Sequence, residues 1–491
     1  MQKKYGNKAS ITIFFAMLLV IISSFLFALL EAARIPGLHT KADVVSDTAI
    51  EAVFAEYQKE VYENYGLLLL DGAYGSGDFQ IAKVEQRLEE MNTKNLYGTK
   101  GQIKDLYPMK VSECRIEKYQ LATDDGGAAF RHLAATAAKR EAGEDIIEDF
   151  REKIQQKESL EKENGTVEEY LAEAERAKEE ALEQQQEENE YNNSAVNTQQ
   201  DVKNPIELVK EWKTKGILSM VVQDEAALSK KAITIENSLE KRERQKGNLS
   251  VDKSTADEIW FLKYLENHMG NYNNLKENRA LDYELEYILE GKSTDMENLE
   301  GTVKSLIGIR EIGNLAYLAK DAQKQVEAEE LAVTLMGWTL NPLAISMTKW
   351  GILGAWAYVE SILDVRALLE GRQIAWIKNP QEWTSDLKGI EETIDGFAMA
   401  KNCENGWNYT KYLEFLLVLK DNKDVNYRSM DIIEVNTNII SDENIQMDHM
   451  IVACEAVMNY EADPLFWNYI SISHPGMNLF QFERKKAFTY S

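Results

Sequence analysis

Twenty-two consecutive residues, Ala9–Leu30, carry no charge. At about 1.5 Å per residue, a helix of that length reaches across the hydrocarbon core of a bilayer. The run therefore predicts a transmembrane helix, with the residues behind it folding as a tethered domain. A cleaved signal peptide is the alternative reading. Its apolar stretch is normally about 7 to 15 residues and ends at a small-residue cleavage site, of which Ala28, Ala32 and Ala33 are a poor version. Lys3, Lys4 and Lys8 precede the run, whereas Glu31 and Arg34 cancel behind it. The positive-inside rule then leaves the N-terminus in the cytoplasm and exports the remaining chain.

Glu31 and Arg34 are the candidate interface residues. Spaced i, i+3, they share one helix face at the outer membrane boundary. Two accounts compete: a polar end to the span, satisfied by water and by each other, or a buried carboxylate that pairs with a partner helix.

A chain of 491 residues that is 44% hydrophobic can bury one large core or two smaller ones. Its net charge of −27 argues against nucleic acid and anionic lipid surfaces as partners, since both select clustered Lys and Arg. Cys114, Cys403 and Cys454 form an odd, sparse set, so at most one disulfide can form, and buried thiols are expected.

Local pattern divides the chain beyond the apolar run. Pro36-Gly37 is expected to interrupt the first helix, with Thr40 and Asp43 capping a second whose apolar positions are Ile50, Val53, Tyr57 and Val61, ended by Gly66. "GLLLLDG" reads as a buried strand, Asp78–Met91 as a helix, and "YPMKVSECRIEKYQLAT" as one or two strands. Lys139–Glu190 holds 19 acidic and 8 basic residues and predicts a solvated helical hairpin or short coiled coil fading into a linker. Leu208–Leu369 predicts a helical bundle. Within it, "LAVTLMGWTLNPLAISMTKWGILGAWAYVE" is split by Asn341-Pro342, and Lys349 interrupts its second half, so a buried core hairpin is expected rather than a second span. "YRSMDIIEVN", "MDHMIVACEAVMNY" and "ERKKAFTY" have strand character and are expected to share a sheet with the strands near Cys114.

The predicted fold is thus α+β and predominantly helical, with an N-terminal membrane helix and a small antiparallel sheet built from both ends of the chain. The expected segments are a cytoplasmic 1–8, an anchor 9–30, a membrane-proximal α+β part 31–138, an acidic segment 139–203, a bundle 204–380 and a C-terminal α+β part 381–491.

No catalytic motif emerges. "EYILEGKSTDMENL" contains Gly-Lys-Ser, but the phosphate loop needs a glycine where Glu286 stands. Gly291 as a helix end and Thr294 with Glu297 as a capping box account for it, so no nucleotide is expected. His39, His132, His268, His449 and His474 are scattered, with no metal-ligand spacing. "DGAYGSGD" sets Asp71 and Asp78 around three glycines but lacks the order of a calcium loop and reads as a turn, and Ser76 is not in a nucleophile elbow. No cofactor or metal is expected.

The stretch "GNKASITIFFAMLLVIISSFLFALLEAAR" resembles the anchor of tight-adherence pseudopilins of the TadE and TadG type, whose apolar helix ends in an acidic residue followed by a basic one, the places here of Glu31 and Arg34. Ser10-Ile11-Thr12 stands where TadE-like segments carry a glutamate near the helix start. Over most of its length, notably "EAARIPGLHTKADVVSDTAIEAVFAEYQKEVYENYGLLLLD", "YELEYILEGKSTDMENL", "GIREIGNLAYL" and "AWAYVESILDVRALLEG", the chain resembles the family of domain of unknown function 5702. That resemblance implies a single-pass envelope protein of Gram-positive bacteria associated with tight-adherence pilus components. The expectation is a non-enzymatic, membrane-anchored assembly component whose partners are the cell membrane and pilus proteins. The alternative is an anchored hydrolase or ligand sensor whose site lies among the carboxylates.

Overall fold

The computed structural model describes residues 6–97, 105–141, 162, 204–250, 257–441, 443–465 and 480–490. Most of the acidic segment 139–203, and with it the expected solvated hairpin, lies outside the described residues. Two compact units form, and their sequences interleave. Met1–Leu133, Glu243–Lys253 and Ile440–Ser491 make a sheet unit, and Ala134–Arg242 with Ser254–Ile439 make a helical unit.

In the sheet unit the elements run α1 (Gly6–Phe54), α2 (Lys59–Tyr65), β1 (Leu70–Asp71), α3 (Ile81–Tyr97) and β2 (Lys110–Leu121), and after a long excursion β3 (Met450–Ala462) and β4 (Phe480–Thr489). All pairings are antiparallel. β3 is central: β2 lies along one edge, with Cys114 opposite Met458, while β1 and then β4 take successive stretches of the other. The expected sheet, joining strands from both ends of the chain, is therefore present. Cys114 and Cys454 are buried, Cys403 is half-buried, and all three thiols are free. Burial pushes the Cys114 and Cys454 thiols up to about 12.

The first helix corrects one expectation. Pro36-Gly37 does not interrupt it; α1 continues to Phe54 with Pro36 inside. A mid-helix proline removes one hydrogen bond and costs about 3 kcal/mol, but Leu38, Ala42, Val45, Ala49 and Val53 behind it fall on one buried stripe. Each such buried side chain returns roughly 1–3 kcal/mol, so packing outweighs the breaker. The stripe's far side is fixed as well: the Ser46 hydroxyl lies 2.7 Å from Tyr460 Oη, Phe54 stacks on Phe488, and Arg484 and Lys486 lie 2.8 Å from Asp43 and Asp47. Gly66 ends a helix in the left-handed conformation, as expected, but that helix is the short α2: the chain leaves the helical conformation between Phe54 and Lys59, so Tyr57 is not on one helix with Ile50 and Val53.

The helical unit uses α4 (Asp124–Glu141, from Ala134 onward), α5 (Pro205–Trp212), α6 (Ile217–Val221), α7 (Asp257–His268), α8 (Glu284–Glu290), α9 (Asp295–Lys320), α10 (Ala322–Met336), α11 (Pro342–Leu369), α12 (Ile390–Asp395), α13 (Tyr409–Leu419) and α14 (Asn422–Ile440). A second correction falls on α14. "YRSMDIIEVN" is helix, not strand, because Val425, Ser429, Ile432, Ile433 and Asn436 share a buried face at helical spacing. The hairpin α10–α11 is a core element only in part: Ile352–Leu369 is buried apart from Gly354, whereas the tip between Val333 and Trp350 is exposed or half-exposed.

Candidate functional site

Where the apolar run ends, α1 enters the sheet unit through Glu31 and Arg34. The two side chains are 2% and 4% exposed and form an ion pair of 2.6 Å. The two charges do satisfy each other, but their remaining partners are backbone groups of the sheet unit. Arg34 Nε donates to Leu106 O at 2.8 Å, Nη2 to Pro108 O at 3.4 Å and Nη1 to Asp463 O at 2.9 Å, while Leu465 N donates to Glu31 Oε2 at 3.0 Å. One i, i+3 pair thus ties the helix to the segment that leads into β2 and to the segment that leaves β3. Hydrogen bonds to charged groups contribute roughly 1.5–3 kcal/mol each when removed.

The same face continues past the proline. Lys41 Nζ donates to Tyr107 O at 3.0 Å and to Asp105 Oδ2 at 2.7 Å. Between them a β-carbon on Gly37 would lie 2.2 Å from the Tyr107 ring, so only glycine admits that ring. Arg34, Gly37 and Lys41 therefore form one strip that receives Asp105–Pro108. No linker separates the strip from the uncharged run, whose residues from Ile11 to Leu30 are exposed or half-exposed. Of the described helices, α1 alone is long and apolar enough to cross a membrane.

Other sequence candidates resolve into local structure. Both Asp71 oxygens are taken by backbone donors, Ala73 N at 2.8 Å and Gly75 N at 2.6 Å, which closes "DGAYGSGD" as a turn. Gly291 ends α8 at φ 65°, and Thr294 Oγ1 accepts from Glu297 N at 3.2 Å and donates to Glu297 Oε2 at 2.9 Å, the capping box read from sequence. Among the described residues no group of His, Cys, Asp and Glu is arranged to hold a metal ion. An open groove of about 540 Å³ is lined by Glu56, Tyr74, Lys83, Gln86, Arg87 and Glu90. Its charges already have partners: Arg87 donates to both Glu56 oxygens and to Glu90, and Lys83 Nζ donates to Ser76 Oγ and Asp78 O.

The helical unit holds buried charge that the sequence reading did not single out. Arg310 Nε donates to Asp364 Oδ2 at 2.9 Å and Nη1 to Trp376 O at 2.7 Å, and Asn314 bridges Ser361 and Asp364 at 3.0 Å each. Lys378 pairs with both Glu360 and Asp364, and Glu360 also accepts from Thr384 N and Ser385 N. Burial alone would raise the Asp364 carboxyl, but Lys378 and Arg310 beside it win and lower it. Glu286 is the contrast: burial pushes it up to about 7 although Tyr272 N and Tyr409 Oη donate to Oε1, and Oε2 is buried without a hydrogen-bond partner. The i, i+4 spacings of Arg310 with Asn314 and of Glu360 with Asp364 were the available signal. Charges at helical spacing are ordinarily solvent-facing, which hid them.

The fold and this junction define an α+β chain headed by one helix of membrane-spanning length. The chain belongs to the family of unknown function DUF5702, whose model matches residues 195–462, more than half of the sequence. No curated protein and no solved structure matches it. The matched stretch includes the buried charge network and the α10–α11 hairpin, and it excludes Glu31 and Arg34.

Proposed function

We propose that the chain is a membrane-anchored, extracytoplasmic structural component that takes part in assembling a tight-adherence (Flp-type) pilus. The observation that carries the anchoring part is the junction itself. A spanning helix that continues without a linker into a charge-clamped sheet transmits position and orientation from the membrane to the domain, as a scaffold requires. A flexible tether would serve an enzyme equally well and needs no clamp. The pilus setting rests on the likeness of residues 6–34 to TadE and TadG anchors, and the extracytoplasmic placement on the excess of lysine ahead of the span.

Two measurements test it. External protease on intact protoplasts should digest the chain beyond residue 40 and spare an N-terminal tag; a protected domain reverses the orientation. Deleting the gene in a host that makes such pili should remove surface pili at unchanged pilin level. Normal piliation would end the pilus reading and leave the anchor standing.

A further inference from the structure

The α10–α11 hairpin carries an apolar tip that the core does not use. Residues 331–348 contain no charge. Val333, Trp338 and Leu340 are 48%, 66% and 88% exposed, and Leu335, Met336, Leu343, Ile345 and Met347 are half-exposed. Leu340 sits at φ 55°, where glycine or asparagine would be cheaper. The turn thus holds its most exposed leucine in a conformation that leucine resists.

Two independent features bear on what covers this tip. The first is its boundary: Lys349 Nζ pairs with Glu329 at 3.0 Å across the base of the hairpin, and the apolar part begins beyond that pair. From Lys349 to Leu340 is about 13.5 Å at helical rise, close to the roughly 15 Å of one leaflet's hydrocarbon and far short of a span. The second is that most polar groups at the turn itself are closed, although Ser346 one turn further on is exposed. Trp338 Nε1 donates to Leu335 O, Thr339 Oγ1 to Met336 O, Thr334 Oγ1 to Glu330 O and Leu340 N to Gly337 O, while Asn341 Oδ1 accepts from Leu343 N and Ala344 N. Proline at the first position of α11 removes another donor. Hydrocarbon demands such closure, because it offers no hydrogen bonds. A protein partner would instead be met by free donors and acceptors around the apolar centre.

We propose that the tip of the α10–α11 hairpin, residues 331–348, inserts into one leaflet of a phospholipid bilayer as a second, non-spanning membrane contact, with Trp338 and Leu340 deepest. The contact is through acyl chains and not anionic headgroups, consistent with the net charge of −27. It rests on α1 being a membrane anchor, which holds a bilayer at high effective concentration near the domain.

The test uses the full chain reconstituted into phosphatidylcholine vesicles that contain a diazirine-tailed phosphatidylcholine. After photolysis, peptides are mapped by mass spectrometry. Adducts are expected on residues 9–30 and on residues 331–348. Leu340→Asp should cut the adducts on 331–348 roughly tenfold at unchanged melting temperature, because aspartate tolerates the left-handed turn better than leucine does. Adducts confined to 9–30, as when the tip stays in water or seats on a second copy, overturn the insertion and leave the anchor intact. Equal labelling of wild type and Leu340→Asp overturns it too. Absence of adducts from both segments would overturn the anchor reading as well.

Discussion

The two units bury charge in opposite ways. In the sheet unit, Glu31 and Arg34 are two charges of opposite sign whose remaining hydrogen bonds go to backbone groups of segments more than 70 positions away. In the helical unit, Arg310, Asp364, Lys378 and Glu360 form two cations and two anions, linked mainly side chain to side chain. A pair that spends itself on backbone fastens chain segments to a helix; a network that spends itself on side chains fixes which helix faces meet. The first therefore suits a junction and the second a core, and each should fail in its own way when cut.

The largest effect is expected from Lys378→Met. Methionine fills much of the volume but leaves Glu360 and Asp364 facing Arg310 alone, and removing one partner from a buried charge group costs about 3–5 kcal/mol. Hydrogen exchange should show lost protection in α9 and α11 and none in β2 or β3. Lost protection in the sheet strands would show that the two kinds of burial are not separable.

Glu31→Gln comes next, at about 2–4 kcal/mol, since Arg34 keeps its three carbonyl acceptors but loses its counter-charge. Faster exchange at residues 105–108 and 463–465, with α9 and α11 unchanged, is the expected signature. Full protection at those segments would mean that the carbonyls alone hold the arginine.

Gly37→Ala sharpens the same comparison at about 1–3 kcal/mol, the usual cost of overpacking. The added carbon meets the Tyr107 ring, so the strip should lose Asp105–Pro108 while Glu31 stays paired. Restored stability in Gly37→Ala with Tyr107→Ala would confirm the ring as the obstacle.

These sites also show what the sequence carried and what it did not. The apolar run, the strands around Cys114 and Cys454, the Gly66 stop and the capping box at Thr294 were legible, because each is a local signal that the packed structure does not contradict. Pro36-Gly37 misled because a breaker signal is weighed against local propensity alone, whereas the buried stripe behind it and the seat for Tyr107 depend on residues 70 positions later. Tyr427–Asn436 misled through Ile432, Ile433 and Val435, β-branched residues whose helical face is completed by buried Ser429 and Asn436, polar groups that blurred the period. At Glu31 and Arg34 the residues were found but not their role, since their partners are peptide groups of Leu106, Pro108, Asp463 and Leu465, and no side-chain pattern announces a carbonyl.

Glu286 offers the smallest net effect and the finest test, because it is a buried carboxylate without a cation in its hydrogen-bonding shell. An unfolded glutamate releases its proton near 4.5, whereas burial holds Glu286 to about 7. Between those values the folded state keeps a proton that the unfolded state has lost, so stability falls as pH rises, by up to about 1.4 kcal/mol per unit. Below 4.5 the group contributes nothing, and above 7 the full penalty is in place. Asp431, pushed up to about 7 by burial, adds a second slope of the same sign. Glu286→Gln abolishes the first slope. Its amide keeps an oxygen for Tyr272 N and Tyr409 Oη but puts an N–H₂ where Oε2 lacks a hydrogen-bond partner, at about 1–3 kcal/mol. At pH 8 gain and loss nearly cancel, while at pH 4.5 the variant is the less stable. Denaturant titrations of the helical unit across that range should show the variant's decline reduced to the share Asp431 supplies. A decline of wild-type steepness would mean that Glu286 is ionised throughout, and that the helical unit neutralises it as fully as it does Asp364.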